Sequence, residues 1–359
     1  MQDFVVSVDQ ALTLRDRGAL CIDARSPAEY AEATIPGALN VPILDDAERV
    51  EIGTLYKQAG RQAARRRGVE IVAPKIPALV EQVATARPAG SPPAVVFCWR
   101  GGMRSLALTQ FLELAGVPAR QVAGGHKAFR SLVRNFFEQG SWGRLIVLRG
   151  LTGVGKTQLL QRLAADGYPV VDLEGLANHR GSAFGHLGLP VQPTQRMFEA
   201  LLWDTLRRIP PGGYAVAEGE SRHIGRLALP LRVYQALQSE VSLWLEAPLA
   251  RRIDNILADY PARDSLCEEF ARPIRALKDR LGRQVVEELV SLLQEGAWQE
   301  LVRQLMIGYY DPLYRHTLPE RRLEVLVDDE EAGLVRLKTA IGQVLGEVPG
   351  VEQPVDAGP

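Results

Sequence analysis

The run Gly150-Leu151-Thr152-Gly153-Val154-Gly155-Lys156-Thr157 decides the fold of the residues around it. It follows the apolar stretch Arg144-Leu145-Ile146-Val147-Leu148 and opens onto a helical pattern from Gln158 to Ala165. The spacing G-x-x-x-x-G-K-[ST] between a strand and a helix is that of a phosphate-binding loop. Backbone N–H groups at the helix N-terminus cradle an anion, and the lysine adds a point charge for terminal phosphates. Gly150, Gly153, Gly155, Lys156 and Thr157 are therefore the candidate phosphate-binding residues, with Thr157 also placed to ligate Mg²⁺. The motif reports a di- or triphosphate; hydrolysis of ATP does not follow from it.

Downstream, strand-like runs at residues 169–172, 214–217, 241–245 and 323–327 alternate with helical stretches. This pattern predicts a parallel sheet covered by helices. Glu218 and Glu220 follow the second of these strands and are candidate metal-organising acids, the alternative being that one merely starts a helix. Residues 248–320 are largely helical and read as an insertion suited to a lid or to substrate recognition. Arg251, Arg252, Arg272, Arg275, Lys278, Arg280 and Arg283 make it basic, and most of them read as a solvated face.

Upstream, Cys98-Trp99-Arg100-Gly101-Gly102-Met103-Arg104-Ser105 follows the apolar run Ala94-Val95-Val96-Phe97. It repeats the strand-to-helix arrangement with a different chemistry. A cysteine held at a helix N-terminus has its thiolate favoured, and Arg100 and Arg104 add to the same field. Gly101 and Gly102 let the loop curl with its amides inward, forming a concavity for an anion. The plainer alternative is a buried structural cysteine. Cys98, Arg100 and Arg104 are the candidate catalytic residues. Arg61, Arg65, Arg66 and Arg67 form a basic cluster, readable as a contact for a phosphate backbone or as a solvated helix face.

The whole chain of 359 residues is long enough for two domains with separate cores. With 42 basic and 43 acidic residues its net charge is −1, so a polyanion must bind through a local patch. Three well-separated cysteines, Cys21, Cys98 and Cys267, fit a reducing compartment better than a disulfide framework. No apolar run approaches the roughly 18 residues of a membrane span, and Met1-Gln2-Asp3 lacks the basic start of a signal peptide. A cytoplasmic protein with no membrane partner is expected.

Asp23-Ala24-Arg25-Ser26-Pro27-Ala28-Glu29-Tyr30 and Ile35-Pro36-Gly37-Ala38-Leu39-Asn40-Val41-Pro42 closely resemble the amino-terminal signature of rhodanese domains. Gly124-Gly125-His126-Lys127-Ala128-Phe129 resembles the carboxy-terminal one. In that family the cysteine carries a chalcogen as a persulfide or perselenide, a role that Cys98 inherits by position. One departure is the C-x5-R spacing from Cys98 to Arg104, which resembles the wider loop of the phosphatase-like branch. A guanidinium fork there suits a phosphate or selenophosphate.

A rhodanese domain joined to this second half resembles one family over nearly the whole chain, the tRNA 2-selenouridine synthases. The resemblance also rests on residues 172–185, on Glu218-Gly219-Glu220-Ser221-Arg222-His223-Ile224-Gly225 and on Tyr309-Tyr310-Asp311-Pro312-Leu313-Tyr314. It implies an α/β chain with a rhodanese-like selenium-transfer domain over residues 1–138. A P-loop NTPase-like parallel sheet with a helical insertion would occupy residues 139–359. The implied reaction converts 2-thiouridine at the wobble position of tRNA to 2-selenouridine through an S-geranyl-2-thiouridine intermediate. Its substrates are geranyl diphosphate and selenophosphate, with Mg²⁺ and a selenophosphate-supplying enzyme as a candidate partner. Trp298 and Met306 are candidates to shelter the geranyl chain or simply to fill a core. Gly219 departs from the acidic residue expected there in the family. Set apart from the resemblance, the motifs also allow a rhodanese-type sulfurtransferase or phosphatase fused to an ATP-dependent kinase-like domain. A nucleotide-sensing module with an inactive appendage is the non-catalytic alternative, which the retained Cys98 opposes.

Overall fold

The computed structural model describes residues 4–260, 265, 267–315 and 319–346. Met1-Gln2-Asp3, read above for targeting, and small parts of the 248–320 insertion lie outside the described residues. The chain divides into two compact units, Met1–Gln139 with Glu199–Leu201, and Gly140–Phe198 with Leu202–Pro359.

The first unit is built on a five-stranded parallel sheet. Its strands are β1 (Val5–Val6), β2 (Cys21–Asp23), β3 (Leu39–Asn40), β4 (Ala94–Phe97) and β5 (Ala119–Val122), in the spatial order β1-β5-β4-β2-β3. β4 lies at the centre and every one of its residues is buried, as expected of a strand covered on both faces. Ile22, Val96, Leu108 and Leu112 belong to the core on one side of the sheet, which the helices Ile76–Ala86 and Met103–Leu114 close. The basic cluster lies on the long helix Asp46–Val72, broken at Gly60, whose φ of 82° leaves the helical region.

The second unit repeats the plan. β6 (Arg144–Gly150), β7 (Val170–Val171), β8 (Tyr214–Glu218), the hairpin strands β9 (His223–Ile224) and β10 (Leu227–Ala228), β11 (Ser242–Glu246) and β12 (Arg322–Leu326) follow in sequence. The main sheet runs β12-β11-β6-β8-β7, all parallel, with β6 at the centre. Strand ends move by a residue or two from the sequence expectation because pairing sets them: Glu218 stands opposite Leu148 and so extends β8.

Between β11 and β12 the insertion folds as successive helices with a core of its own. Phe270 is the hub, its ring meeting Tyr260, Trp298 and Phe184 at centroid distances of 5.4, 5.3 and 5.8 Å. Phe184 comes from the loop after β7, so this core also packs against the parallel-sheet part of the unit.

Candidate functional site

In the first unit the loop after β4 wraps its own sulfur. Cys98 is 3% exposed, and its Sγ accepts a hydrogen bond from the Gly102 N–H at 3.2 Å. The Ser105 hydroxyl lies 3.2 Å from the same sulfur. Gln121 holds the loop from beneath, donating to the carbonyls of Gly101 and Gly102 and to Ser105 Oγ at 2.7, 3.2 and 3.0 Å. The His126 N–H donates to the Cys98 carbonyl at 2.8 Å. A Cβ on Gly125 would stand 2.1 Å from that carbonyl oxygen, so only glycine admits this approach.

The amino-terminal signature forms a buried clamp. Arg25 donates to Asp23 through Nε at 2.9 Å and Nη2 at 2.5 Å, and its Nη1 lies 3.2 Å from His126 Nδ1. The two signatures that flank the cysteine loop in sequence therefore meet each other in space. Burial, its largest influence, pushes the Cys21 thiol up to about 12, leaving it inert.

Two candidates from this unit differ from expectation. The fork of Arg104 is spent on Glu29, with Nη1 to Oε2 at 2.5 Å and Nη2 to Oε1 at 3.3 Å, rather than on an anion at Cys98. Burial acts to raise the Glu29 carboxyl, but the Arg104 hydrogen bond and charge outweigh it and hold the group below its ordinary range. Arg100 is exposed on the loop. Arg61, Arg65, Arg66 and Arg67 are all exposed, with Arg67 bonded to Glu51 and Glu70 at 2.5 and 3.1 Å.

In the second unit the loop after β6 takes left-handed glycine conformations at Gly153 and Gly155, with φ of 78° and 93°. A Cβ on Gly153 would lie 2.5 Å from the Arg252 carbonyl oxygen and 2.7 Å from Met306 Cε, so the insertion packs directly on the loop. Lys156 Nζ reaches back to the Gly150 carbonyl at 3.4 Å. Arg252, read as part of a solvated face, is 4% exposed and has a different task. It donates to the Thr152 carbonyl at 2.9 Å and grips Asp311 with both Nη atoms at 3.0 and 2.5 Å. Asn255 donates to the Gly153 carbonyl at 2.8 Å. The insertion thus fixes the backbone of the phosphate loop from outside.

The carboxylates gather beside Thr157. Its hydroxyl donates to Glu174 Oε2 at 3.0 Å, and the Glu174 N–H donates to Glu218 Oε1 at 2.7 Å. Glu220 lines the phosphate cavity with Glu174, whereas Glu218 lies buried beneath with its Oε2 lacking a partner. Burial raises all three, and Glu220 rises to about 8 under burial and the charge of Glu174. Gly219 has a local reason: a Cβ there would come within 2.7 Å of Arg149 Cγ. Arg149 occupies that space, donating to Ser242 Oγ at 3.0 Å and the Leu237 carbonyl at 2.9 Å.

Among the described residues no three His, Cys, Asp or Glu side chains form a metal cluster. Mg²⁺ typically takes one or two carboxylates together with substrate phosphates and water. Thr157 Oγ1 and Glu174 fit such a partial site, and Glu174 was missed by sequence reasoning although it stands within the 172–185 stretch.

A second space adjoins the phosphate cavity. Thr152, Ser182, Ile256 and Tyr260 line both that cavity and a cleft walled by apolar residues including Phe270, Trp298, Leu305 and Met306. Trp298 belongs to the core of the insertion, Met306 packs against Gly153 of the phosphate loop, and both line this cleft.

These features define a two-domain group-transfer enzyme, with a thiol loop on one parallel sheet and a phosphate cradle on the other. Residues 7–132 match the rhodanese-like domain family, and residues 143–340 match the tRNA 2-selenouridine synthase AAA domain family. Proteins called tRNA 2-selenouridine synthase from Nitrosomonas eutropha and Bdellovibrio bacteriovorus are 33% and 34% identical, each over 89% of this chain and over 93% and 94% of their own. One of the same name from Cupriavidus necator is 36% identical over 90% of this chain and 94% of its own. The chain belongs to the tRNA 2-selenouridine synthase family.

Proposed function

We propose that the protein replaces sulfur by selenium in 2-thiouridine at the tRNA wobble position, in two steps divided between its two units. In the first, the thiocarbonyl sulfur attacks the allylic carbon of geranyl diphosphate; the C–S bond forms, diphosphate leaves, and the base loses its N3 proton. In the second, the selenium of selenophosphate attacks C2 and the geranylthio group leaves as a thiol; water then cleaves the Se–P bond, releasing phosphate and leaving selenium on the base. Alkylation is the reason for the detour, since it turns a poor leaving group into a good one.

The observation that carries this reading is the wall that the phosphate cavity and the apolar cleft share at Thr152, Ser182, Ile256 and Tyr260. A nucleotide's triphosphate leads to a polar sugar and base, whereas a prenyl diphosphate has two linked phosphates ending in hydrocarbon. Gly153, Gly155 and Lys156 would hold the phosphates, and negative charge builds on them as the allylic bond breaks. Lys156 then stabilises the transition state more than the ground state. Bound Mg²⁺ would supply further charge neutralisation, held by Thr157 and Glu174. The Cys98 loop would handle selenium, its inward Gly102 amide and Ser105 hydroxyl placed to stabilise negative charge at the sulfur. Exposed Arg61, Arg65 and Arg66 are the proposed tRNA contacts in the first unit.

Mass analysis of tRNA nucleosides after incubation of the protein with 2-thiouridine tRNA, selenophosphate and geranyl diphosphate is the direct test. S-geranyl-2-thiouridine should appear without selenophosphate, and 2-selenouridine only when it is added. Selenation of 2-thiouridine with no prenyl diphosphate present would reject the two-step scheme.

A further inference from the structure

We propose that Trp298 is the stop that sets the length of the transferred prenyl chain, admitting geranyl and refusing the farnesyl chain one isoprene unit longer. The proposal rests on the reading that the phosphate loop holds a prenyl diphosphate.

The cleft has a defined direction. Met306 Cε and Ile256 Cγ1 would stand 2.7 and 2.9 Å from a Cβ on Gly153, so these side chains mark the end nearest the phosphates. Tyr260 also lines both cavities and belongs to that end. Moving away from it, the Tyr260 ring meets Phe270 at 5.4 Å, and Phe270 meets Trp298 at 5.3 Å. Trp298 lines the cleft alone and takes no part in the phosphate cavity.

One helix spans this distance. Trp298, Leu301, Val302 and Leu305 recur at helical spacing along Trp298–Leu305 and all line the cleft, so a single face of that helix forms a wall running back to Met306. From residue 306 to residue 298 the axis advances roughly 12 Å at the usual rise per residue, a run that two isoprene units fill and a third overruns. At its far end the indole is seated edge-on against Phe270, both side chains more than nine-tenths buried, so it cannot swing aside without breaking that packing.

The test uses the full-length protein with 2-thiouridine tRNA and compares kcat/KM for geranyl and farnesyl diphosphate by mass analysis of the nucleosides. Hydrophobic pockets discriminate chains of different length by about tenfold or more. Trp298→Ala should therefore raise the farnesyl-to-geranyl ratio at least about tenfold. Trp298→Leu, which keeps more of the apolar volume, should shift the ratio in the same direction by less. Leu301→Phe, narrowing the cleft nearer the phosphates, should lower the geranyl rate while sparing the shorter dimethylallyl diphosphate. An unchanged ratio in a folded Trp298 variant overturns the proposal, as does wild-type protein using farnesyl diphosphate as well as geranyl. Wild-type protein that transfers no prenyl group at all would instead fail the underlying reading.

Discussion

The Cys98 loop and the Gly150–Thr157 loop occupy the same architectural position. Each leaves the C-terminal end of the central strand of a five-stranded parallel sheet and opens on a helix. They differ in where the held group comes from. The first turns the Gly102 amide onto its own buried Cys98 sulfur, within a loop that is otherwise largely exposed. The second leaves room beside Lys156 for a ligand supplied from outside. A shared backbone device thus serves a resident nucleophile in one unit and an imported substrate in the other, and the two activities should separate cleanly by mutation.

The largest expected effect is at the resident sulfur. Cys98→Ala should lower selenation by at least about a thousandfold, the scale on which loss of a nucleophile acts, while geranylation continues. Mass analysis of nucleosides checks it; normal 2-selenouridine yield would break the division of labour. Lys156→Ala should lower geranylation by about a hundredfold, the scale of losing one charge-stabilising donor. It should spare selenation of tRNA supplied already geranylated, which single-turnover assays on the two tRNA substrates would show.

Asp311→Asn sharpens the comparison from outside both loops. Removing one partner of a buried ion pair costs about 3 kcal/mol or more, so the second unit should melt roughly 10 °C lower by calorimetry. Arg252 would lose its anchor, and geranyl diphosphate binding should weaken with it.

The smallest effects distinguish the units by pH. Glu29 is held below its ordinary range, so the stability its pairing contributes is present above the unfolded value and fades as pH falls through the folded one. Glu220 runs the other way. Raised to about 8, it keeps its proton in the fold after the unfolded chain has lost it, so stability falls as pH rises from the ordinary carboxylate range through 8. Denaturant melts at pH 4 and pH 9 should weaken the first unit in acid and the second in alkali. Glu29→Gln and Glu220→Gln should flatten the respective trends.

What could be read from the chain alone follows the range of the interactions. Both loops were legible because strand, glycines, functional residue and helix lie within about twenty consecutive positions, and local geometry fixes their chemistry. Arg252 was not. Its sequence surroundings are those of a solvated basic helix, and only the fold brings Asp311, 59 residues away, against it. The Arg104 partner was hidden for the same reason, since Glu29 lies 75 residues distant. The cleft was half legible: Trp298 and Met306 could be singled out as apolar, but their nearness to Gly153 is a tertiary fact. Gly219 marks the reverse case, a departure visible in sequence whose cause, the Arg149 side chain filling the space, is visible only in three dimensions.

The Arg252 bridge also has a kinetic meaning. Through one guanidinium the Thr152 carbonyl of the phosphate loop is tied to Asp311, immediately after Tyr310 and close to Met306 in the chain, both of which wall the cleft. On the proposed function, the head and tail of the prenyl diphosphate would be read by one connected body, so anything that seats the phosphates poorly would also unseat the hydrocarbon. A ligand with only one of the two parts, inorganic diphosphate or a bare terpene alcohol, forfeits more than its missing contacts.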